Sequence, residues 1–316
     1  MSTTRTKTVY FYKIQGSGNT TIREVLLDNR FHLPYNLEGK TLELKFPIEE
    51  SVGFITGSFI MTRTTGIPPK HRINTDDYDA IQLEDGEGLS YPNAFIYNPQ
   101  NDVIGLEFNL NGTYPSQIEK FLRQLALNRN SSESGSDEAS NLNVQLHELL
   151  TLNAYERIIN FDAFQKVTMK IAYPDQLIQE ELRANGPIRL IGELADQLNA
   201  TSSMEISFSA SMDEGIPGLN RERVLELVRT YTRVSLSLFP RRGRNKLIIE
   251  GLNTRSDNPE ILDRETIDLM KDRMKDSFDL TEPAILTSIQ PTERRNGIIE
   301  SYNRKSREIS SITSLS

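Results

Sequence analysis

The chain contains no cysteine and no tryptophan, and only three histidines, His32, His71 and His147, among its 316 residues. Without cysteine it forms no disulfides and no thiolate metal sites, and a cysteine nucleophile is excluded. Histidines so far apart in the sequence do not predict a zinc site. We therefore expect neither a metal nor another cofactor.

Long apolar runs are missing as well. No apolar stretch reaches the roughly 18 residues that a membrane-spanning helix requires. The basic segment that ends at Lys7 is not followed by the apolar core of a secretion signal. The sequence therefore predicts a cytoplasmic protein that does not insert directly into a membrane.

What the sequence does contain is a balanced mixture: 37% hydrophobic residues, with 36 Lys and Arg against 44 Asp and Glu, for a net charge of −8. This composition is typical of a globular protein, and the length is sufficient for two domains. We place their boundary in the polar segment 130–141, which is interpreted as a flexible linker or loop because it is almost free of apolar residues. The predicted domains are residues 1–129 and 142–290.

Alternating apolar residues and turn signals predict mainly antiparallel strands. In the first domain the predicted strands are Thr8–Ile14, Thr41–Phe46, Gly53–Met61, Asn93–Tyr97 and Val103–Phe108, followed by a helix from Pro115. In the second domain they are Lys166–Tyr173, Met204–Met212, Arg233–Phe239 and Lys246–Leu252, with helices at 175–183, at 187–198 and after Asn220. A last helix is expected from Asn258 to about Phe278, and residues 291–316 are expected to form a mobile tail. The predicted fold class is α+β, with helices packed on antiparallel sheets.

Charge is concentrated in one segment of this acidic chain. Residues 221–246 contain eight basic residues and two acidic ones, Glu222 and Glu226. The predicted strands Arg233–Phe239 and Lys246–Leu252 form a hairpin whose basic turn contains no acidic residue. The guanidinium groups of arginines in such a turn can donate paired hydrogen bonds to phosphate oxygens. The predicted nucleic-acid-binding residues are Arg229, Arg233, Arg241, Arg242, Arg244 and Lys246. The alternative is a solvated turn whose arginines pair with acidic residues elsewhere in the fold.

Catalytic chemistry has little support in the sequence. A metal-dependent nuclease needs carboxylates brought together by the fold, and Glu205 and Asp175 are the candidates, although neither has a suitably spaced partner. There is no G-x-S-x-G motif and no phosphate-binding glycine loop. The acidic run 76–87 lacks the spacing of a calcium-binding loop and is interpreted as a solvated loop. We therefore name no catalytic residue.

Two blocks of sequence resemble the RexA-like phage-exclusion family of lambdoid prophages and bacterial relatives. The first is Gln82–Leu122, with a short acidic turn, two strands and a helix. The second joins KVTMKIAYP (Lys166–Pro174) to Ile191–Val228. The resemblance extends over most of Lys7–Leu252 and rests on the order of strands, turns and helices.

The resemblance implies a homodimer that binds double-stranded DNA without sequence preference, has no chemistry of its own, and acts beside a membrane effector protein. The assignment of DNA binding to residues 229–246 comes from their charge and not from the family. Two other interpretations stay open. One is a protein-interaction component of an anti-phage defence system, and the other is a metal-dependent nuclease.

Overall fold

A computed structural model describes residues 2–17, 20–37, 39–50, 53–71, 78–133, 143–172, 203–210, 218–228, 246–254, 262–269, 271–283 and 288–315. The chain divides into two compact units. The first unit comprises residues 1–146 and 275–306, and the second comprises residues 147–274 and 307–316. In the described parts of the chain, no helix is long and apolar enough to cross a membrane.

The first unit is built on a large antiparallel sheet. Its strands are β1 (Thr3–Ser17), β2 (Tyr35–Leu37), β3 (Lys40–Glu49), β4 (Ile55–Arg63), β7 (Leu89–Asn98), β8 (Val103–Glu107) and β14 (Lys275–Glu282), in the order β14-β1-β8-β7-β4-β3-β2. Strand β9 (Asn143–Glu148) also pairs with β1, and the short strands β5 (Lys70–His71) and β6 (Tyr78–Asp79) pair with each other. The five strands predicted for the first domain are confirmed.

Helices cover both faces of this sheet. Helix α1 (Ile22–Leu27) precedes β2, and α2 (Pro115–Glu133) follows β8, so the helix predicted from Pro115 is confirmed. On one face Phe121 of α2 contacts Phe59 of β4, with ring centroids 6.3 Å apart. On the other face the Asn98 side chain donates to the Tyr302 hydroxyl, which belongs to helix α5 (Pro291–Leu315), at 2.8 Å. Phe59 and Asn98 therefore project from opposite faces of the sheet, Phe59 toward α2 and Asn98 toward α5.

The expectation of a mobile tail after residue 290 is wrong for most of that segment. Residues 291–315 form helix α5, in which Ile298, Tyr302, Ile309 and Ile312 are buried. Arg294 of α5 is also buried and forms an ion pair with Glu107 of β8. The polar, serine-rich composition concealed a narrow apolar stripe that is enough to hold the helix in place.

The second unit contains a four-stranded antiparallel sheet in the order β11-β10-β12-β13. The strands are β10 (Ala163–Ala172), β11 (Ser203–Ser209), β12 (Lys246–Thr254) and β13 (Leu262–Asp268). Helices α3 (Leu152–Asn160) and α4 (residues 221–228 in the described part) pack on one face. The core includes Ile158, Val167, Val224 and Ile249. The predicted strands at 166–173, 204–212 and 246–252 are confirmed within these bounds.

The predicted helix from Asn258 to Phe278 is wrong. Its described residues form β13, a turn and β14 instead. Ile267 and Leu269 are buried on alternate positions, as are Phe278 and Leu280, so the true period is two. The apparent helical spacing arose because the prediction joined the ends of two strands across a turn.

The polar segment 130–141 is described only in part. Helix α2 continues to Glu133, so the segment begins as helix and not as linker. Residues 134–142 lie outside the described residues, as do the predicted helices at 175–183 and 187–198 and the predicted strand Arg233–Phe239. The α+β class with mainly antiparallel sheets is confirmed.

Candidate nucleic-acid interface

Helix α4 leads directly into residues 229–246, the basic segment. Its N-terminus is capped, because the Asn220 side-chain oxygen accepts a hydrogen bond from the Arg223 backbone N–H at 3.0 Å. Val224, Leu227 and Val228 are buried in the core of the second unit. The chain therefore enters the basic segment from a helix that is fixed on the sheet.

The first two basic residues of this region have structural contacts. Arg221 donates from Nη1 to the Phe161 carbonyl at 3.0 Å, and its guanidinium lies 6.0 Å from the centroid of the Phe164 ring. Arg223 forms an ion pair with Glu226 at 2.9 Å, one helical turn away. Neither was among the predicted binding residues, and both are engaged in local contacts.

Of the six predicted binding residues, the structure describes one backbone position. Arg229, Arg233, Arg241, Arg242 and Arg244 lie outside the described residues. Lys246 is the first residue of β12 and is in register with Lys170 of β10. The basic segment is therefore anchored at one end by α4 and at the other by a central strand of the sheet.

One face of this sheet carries polar side chains. Thr168 of β10 and Ser207 of β11 are hydrogen-bonded through their hydroxyls at 2.9 Å. On either side of Thr168, Lys166 pairs with Glu250 at 3.5 Å and Lys170 pairs with Glu205 at 3.8 Å. Arg264 of β13 also reaches Glu250, at 4.0 Å. Both glutamates of this face are therefore engaged by cations of the same face.

Three more carboxylates of the second unit have cationic partners. Asp268 at the end of β13 pairs with Lys271 at 3.5 Å, and Glu265 forms an ion pair with Arg157 of α3. Glu148 likewise pairs with Arg273 at 3.0 Å, so with Glu205, Glu226 and Glu250 the described ion pairs of this unit involve six acidic side chains.

Only one of the two candidate nuclease residues lies in the part of the chain that the structure describes. Glu205 is paired with Lys170, and Asp175 lies outside the described residues. In the described ranges no three His, Asp or Glu side chains are arranged to hold a metal ion. The described residues therefore offer no metal-binding site for a nuclease.

An acidic groove of about 590 Å³ lies in the first unit, between β14 and α5. It is lined by Asp279, Glu293, Glu300 and the ion pair of Asp276 with Arg304, whose atoms are 2.7 Å apart. Four carboxylates and one guanidinium make this groove unfavourable for phosphate.

The alternating pattern predicts a strand at Lys166–Tyr173, but it assigns no function to Lys166, Thr168 and Lys170. Their pairing with Glu250, Ser207 and Glu205 depends on the register of three strands, which comes from residues more than 30 positions apart.

Comparison of the chain with known proteins finds no matching protein-family model and no matching curated protein. The resemblance to the RexA-like family therefore stays a prediction.

Proposed function

We propose that this protein binds the phosphate backbone of double-stranded DNA through residues 229–246 and carries out no reaction on it. The resemblance to RexA-like proteins supports a role as a sensor or regulator in phage exclusion. Lysine and arginine contacts to phosphate would give binding with little sequence preference and a strong dependence on salt.

The observation that carries the proposal is the occupation of the neighbouring carboxylates. No Asp or Glu occurs between Glu226 and Glu250, the acidic residues on either side of the basic segment. Glu226 already pairs with Arg223, and Glu250 with Lys166 and Arg264. Arginines of the segment would have to share these carboxylates with cations that already bind them in order to be neutralised locally. This favours an external phosphate over the interpretation of a self-paired turn.

The proposal includes a homodimer, and the outer edge of β11 supports it. The Ala210 backbone N–H donates to the Gln165 carbonyl of the β10 segment at 3.0 Å. The N–H and C=O of one residue point to the same neighbour in an antiparallel strand. Alternate residues from Ser203 to Ser209 therefore direct these groups away from β10, where no described strand pairs with them.

Three other outer strands, β13, β14 and β3, carry features that discourage pairing between molecules. Strand β13 has four charged residues in seven, and β14 has four in eight. Strand β3, beyond the three residues of β2, is interrupted by an irregularity between Lys45 and Ile48 that includes Pro47. Strand β11 has one charged residue in seven and an exposed Phe208. Of these four described edges, that of β11 is best suited to a second copy of the chain.

Two copies of β11 can pair about a two-fold axis at Ile206. In this antiparallel register Glu205 lies opposite Ser207 of the partner subunit, and the outward backbone groups of both residues are directed at each other. Phe208, which is 45% exposed, lies opposite the partner's Met204. Two-fold pairing would bring two basic segments to one duplex and raise its effective affinity.

The test is a titration of duplex DNA at several salt concentrations, with magnesium present and cleavage recorded on the same samples. We expect the logarithm of the DNA affinity to fall linearly with the logarithm of the salt concentration. We expect no cleavage of the DNA. Magnesium-dependent cleavage would support the nuclease instead. Absence of binding by folded protein near physiological salt would overturn the proposal and favour a protein partner.

A further inference from the structure

Two cations lie side by side at one end of the first unit's sheet. Lys40 of β3 is directly opposite Arg63 of β4, so the two side chains project from the same face. Like charges in this position destabilise a sheet. Among the described residues, neither side chain forms an ion pair with a carboxylate. The repulsion between them is therefore not offset within the described structure.

Their surroundings limit screening by water. Lys40 and Arg63 are half-buried, and they form a row with Leu37 of β2 and Leu89 of β7, which are also half-buried. Burial lowers the pKa of Lys40 from its ordinary value, and the positive charge of Arg63 lowers it further. An anion between the two cations would remove this unfavourable interaction.

The Arg63 guanidinium is held in position by two contacts. It lies 5.4 Å from the centroid of the Tyr91 ring, and its Nη2 donates to the Asn111 carbonyl at 3.3 Å. Its Nε has no hydrogen-bond acceptor among the described residues. A guanidinium fixed in this way loses little conformational freedom when an oxyanion binds.

The acidic turn before β7 forms no described ion pair with Lys40 or Arg63. This turn, residues 84–87, precedes β7, and the Glu87 carboxylate accepts a hydrogen bond from the Glu84 backbone N–H at 3.0 Å. On the other side, the Tyr114 hydroxyl donates to the Leu110 carbonyl at 3.1 Å, and Arg63 is close enough to influence the pKa of this phenol, which burial raises. The site is thus bordered by Tyr91, Tyr114 and the loop that carries Asn111.

We propose that Lys40 and Arg63 bind a phosphate group. A phosphate that carries nearly two negative charges neutralises both cations, and its oxygens accept charge-assisted hydrogen bonds from ammonium and guanidinium. The group could be free phosphate or part of a small phosphorylated molecule. It could also belong to a nucleic-acid backbone, whose phosphate is a diester with one negative charge and would neutralise one of the two cations. The site lies in the first unit and does not depend on DNA binding by residues 229–246.

The test is calorimetric titration of the full chain with inorganic phosphate, against sodium chloride at matched ionic strength. The variants are Lys40→Gln and Arg63→Gln. The control is Lys45→Gln, which removes an exposed lysine on the opposite face of β3 that pairs with Glu43 at 2.9 Å. We expect wild type and Lys45→Gln to bind phosphate alike, and the two site variants to bind at least about tenfold more weakly.

Measurements of thermal stability and of DNA binding complete the test. Without phosphate, Lys40→Gln should melt at or above the wild-type temperature, because it removes the repulsion with Arg63. Duplex DNA is titrated in parallel, and loss of DNA affinity in Arg63→Gln would identify DNA as the source of the phosphate. If neither inorganic phosphate nor DNA distinguishes the site variants from Lys45→Gln, the proposal is overturned. Failure of DNA binding alone leaves the phosphate titration as an independent test.

Discussion

Lys246, the first residue of β12, lies in register with Lys170 of β10, so the basic segment ends on a central pair of strands. Lys170 itself is paired with Glu205. Both glutamates of the polar face are already paired with lysines, and the basic segment attached to it has no acidic residue of its own. We infer that a phosphate backbone would be bound mainly by the segment, with the sheet as its support.

The ion pair of Glu107 with Arg294 should hold α5 on the first unit. Arg294→Met leaves the Glu107 carboxylate buried without its cation, and we expect the free energy of unfolding to fall by about 3–5 kcal/mol. The measurement is urea unfolding followed by circular dichroism. The Glu107→Gln/Arg294→Met double variant should lose less, because the neutral amide oxygen still accepts the Ala94 N–H that now bonds Glu107 at 3.1 Å.

The control for this prediction is the neighbouring Arg295→Met. Arg295 is half-exposed and pairs with Glu50 at 3.1 Å, so its removal should cost no more than about 1 kcal/mol. Equal destabilisation by Arg294→Met and Arg295→Met would contradict the assigned role of the buried pair.

Dimerisation through β11 is tested by opposite charges at Ser207. Ser207→Glu places a carboxylate opposite the partner's Glu205. Because the two-fold axis creates this repulsive contact at two places in the dimer, dimerisation should weaken about tenfold. Ser207→Lys, which lacks the same hydroxyl, should keep the dimer. The measurement is sedimentation velocity over a range of concentrations.

Effects on folding have the opposite sign, which separates them from dimerisation. Within one chain Ser207 is diagonal to Lys166 and Lys170, so a glutamate there favours the fold and a lysine opposes it. A monomeric wild-type protein at every concentration, or equal dimerisation by both variants, would refute pairing at this edge.

Glu282 gives the first unit a pH dependence. Its carboxylate accepts a hydrogen bond from Lys7 at 2.8 Å, which lowers its pKa, and Arg5 lies 3.1 Å away. A lowered pKa stabilises the fold above the unfolded value of about 4.3, and this contribution is lost as pH falls through the folded value. Wild type should therefore be more stable than Glu282→Gln at pH 7, with the difference shrinking toward pH 3.

Thermal unfolding of both proteins across this pH range measures the effect. Glu300→Gln, which removes an exposed carboxylate of α5, serves as the control and should change stability little at any pH. A constant difference between wild type and Glu282→Gln from pH 7 to pH 3 would be inconsistent with the assigned pKa shift.

Local patterns predicted the fold well where each element has one clear period. The alternation in β10 and β11 and the stripe of Val224, Leu227 and Val228 are examples. The prediction failed where an alternating pattern extended over only a few residues, as in β13 and β14. It also failed where a polar composition masked the apolar stripe, as in helix α5. The return of residues 275–306 to the first unit depends on pairing of β14 with β1, which local pattern does not encode.

The candidate sites differ in the same way. The basic segment is visible in the sequence because its charges are contiguous. The pair of Lys40 and Arg63 is not, because the residues are 23 positions apart and meet only through the register of β3 and β4. Cross-strand neighbours of equal charge can be recognised only when the strand pairing is known.

The central claim is tested most directly by the salt dependence of DNA binding in two matched variants. One removes Arg241, Arg242, Arg244 and Lys246 by substitution with alanine. The other replaces Arg5, Arg23, Lys45 and Lys70, four exposed residues of the first unit, and changes the net charge by the same amount.

We expect the first variant to bind DNA more weakly, with a slope of log affinity against log salt reduced by as much as about 0.9 for each phosphate that the protein no longer neutralises. The second variant should keep the wild-type slope. Equal slopes for wild type and the first variant, or equal reductions in both variants, would contradict binding through residues 229–246.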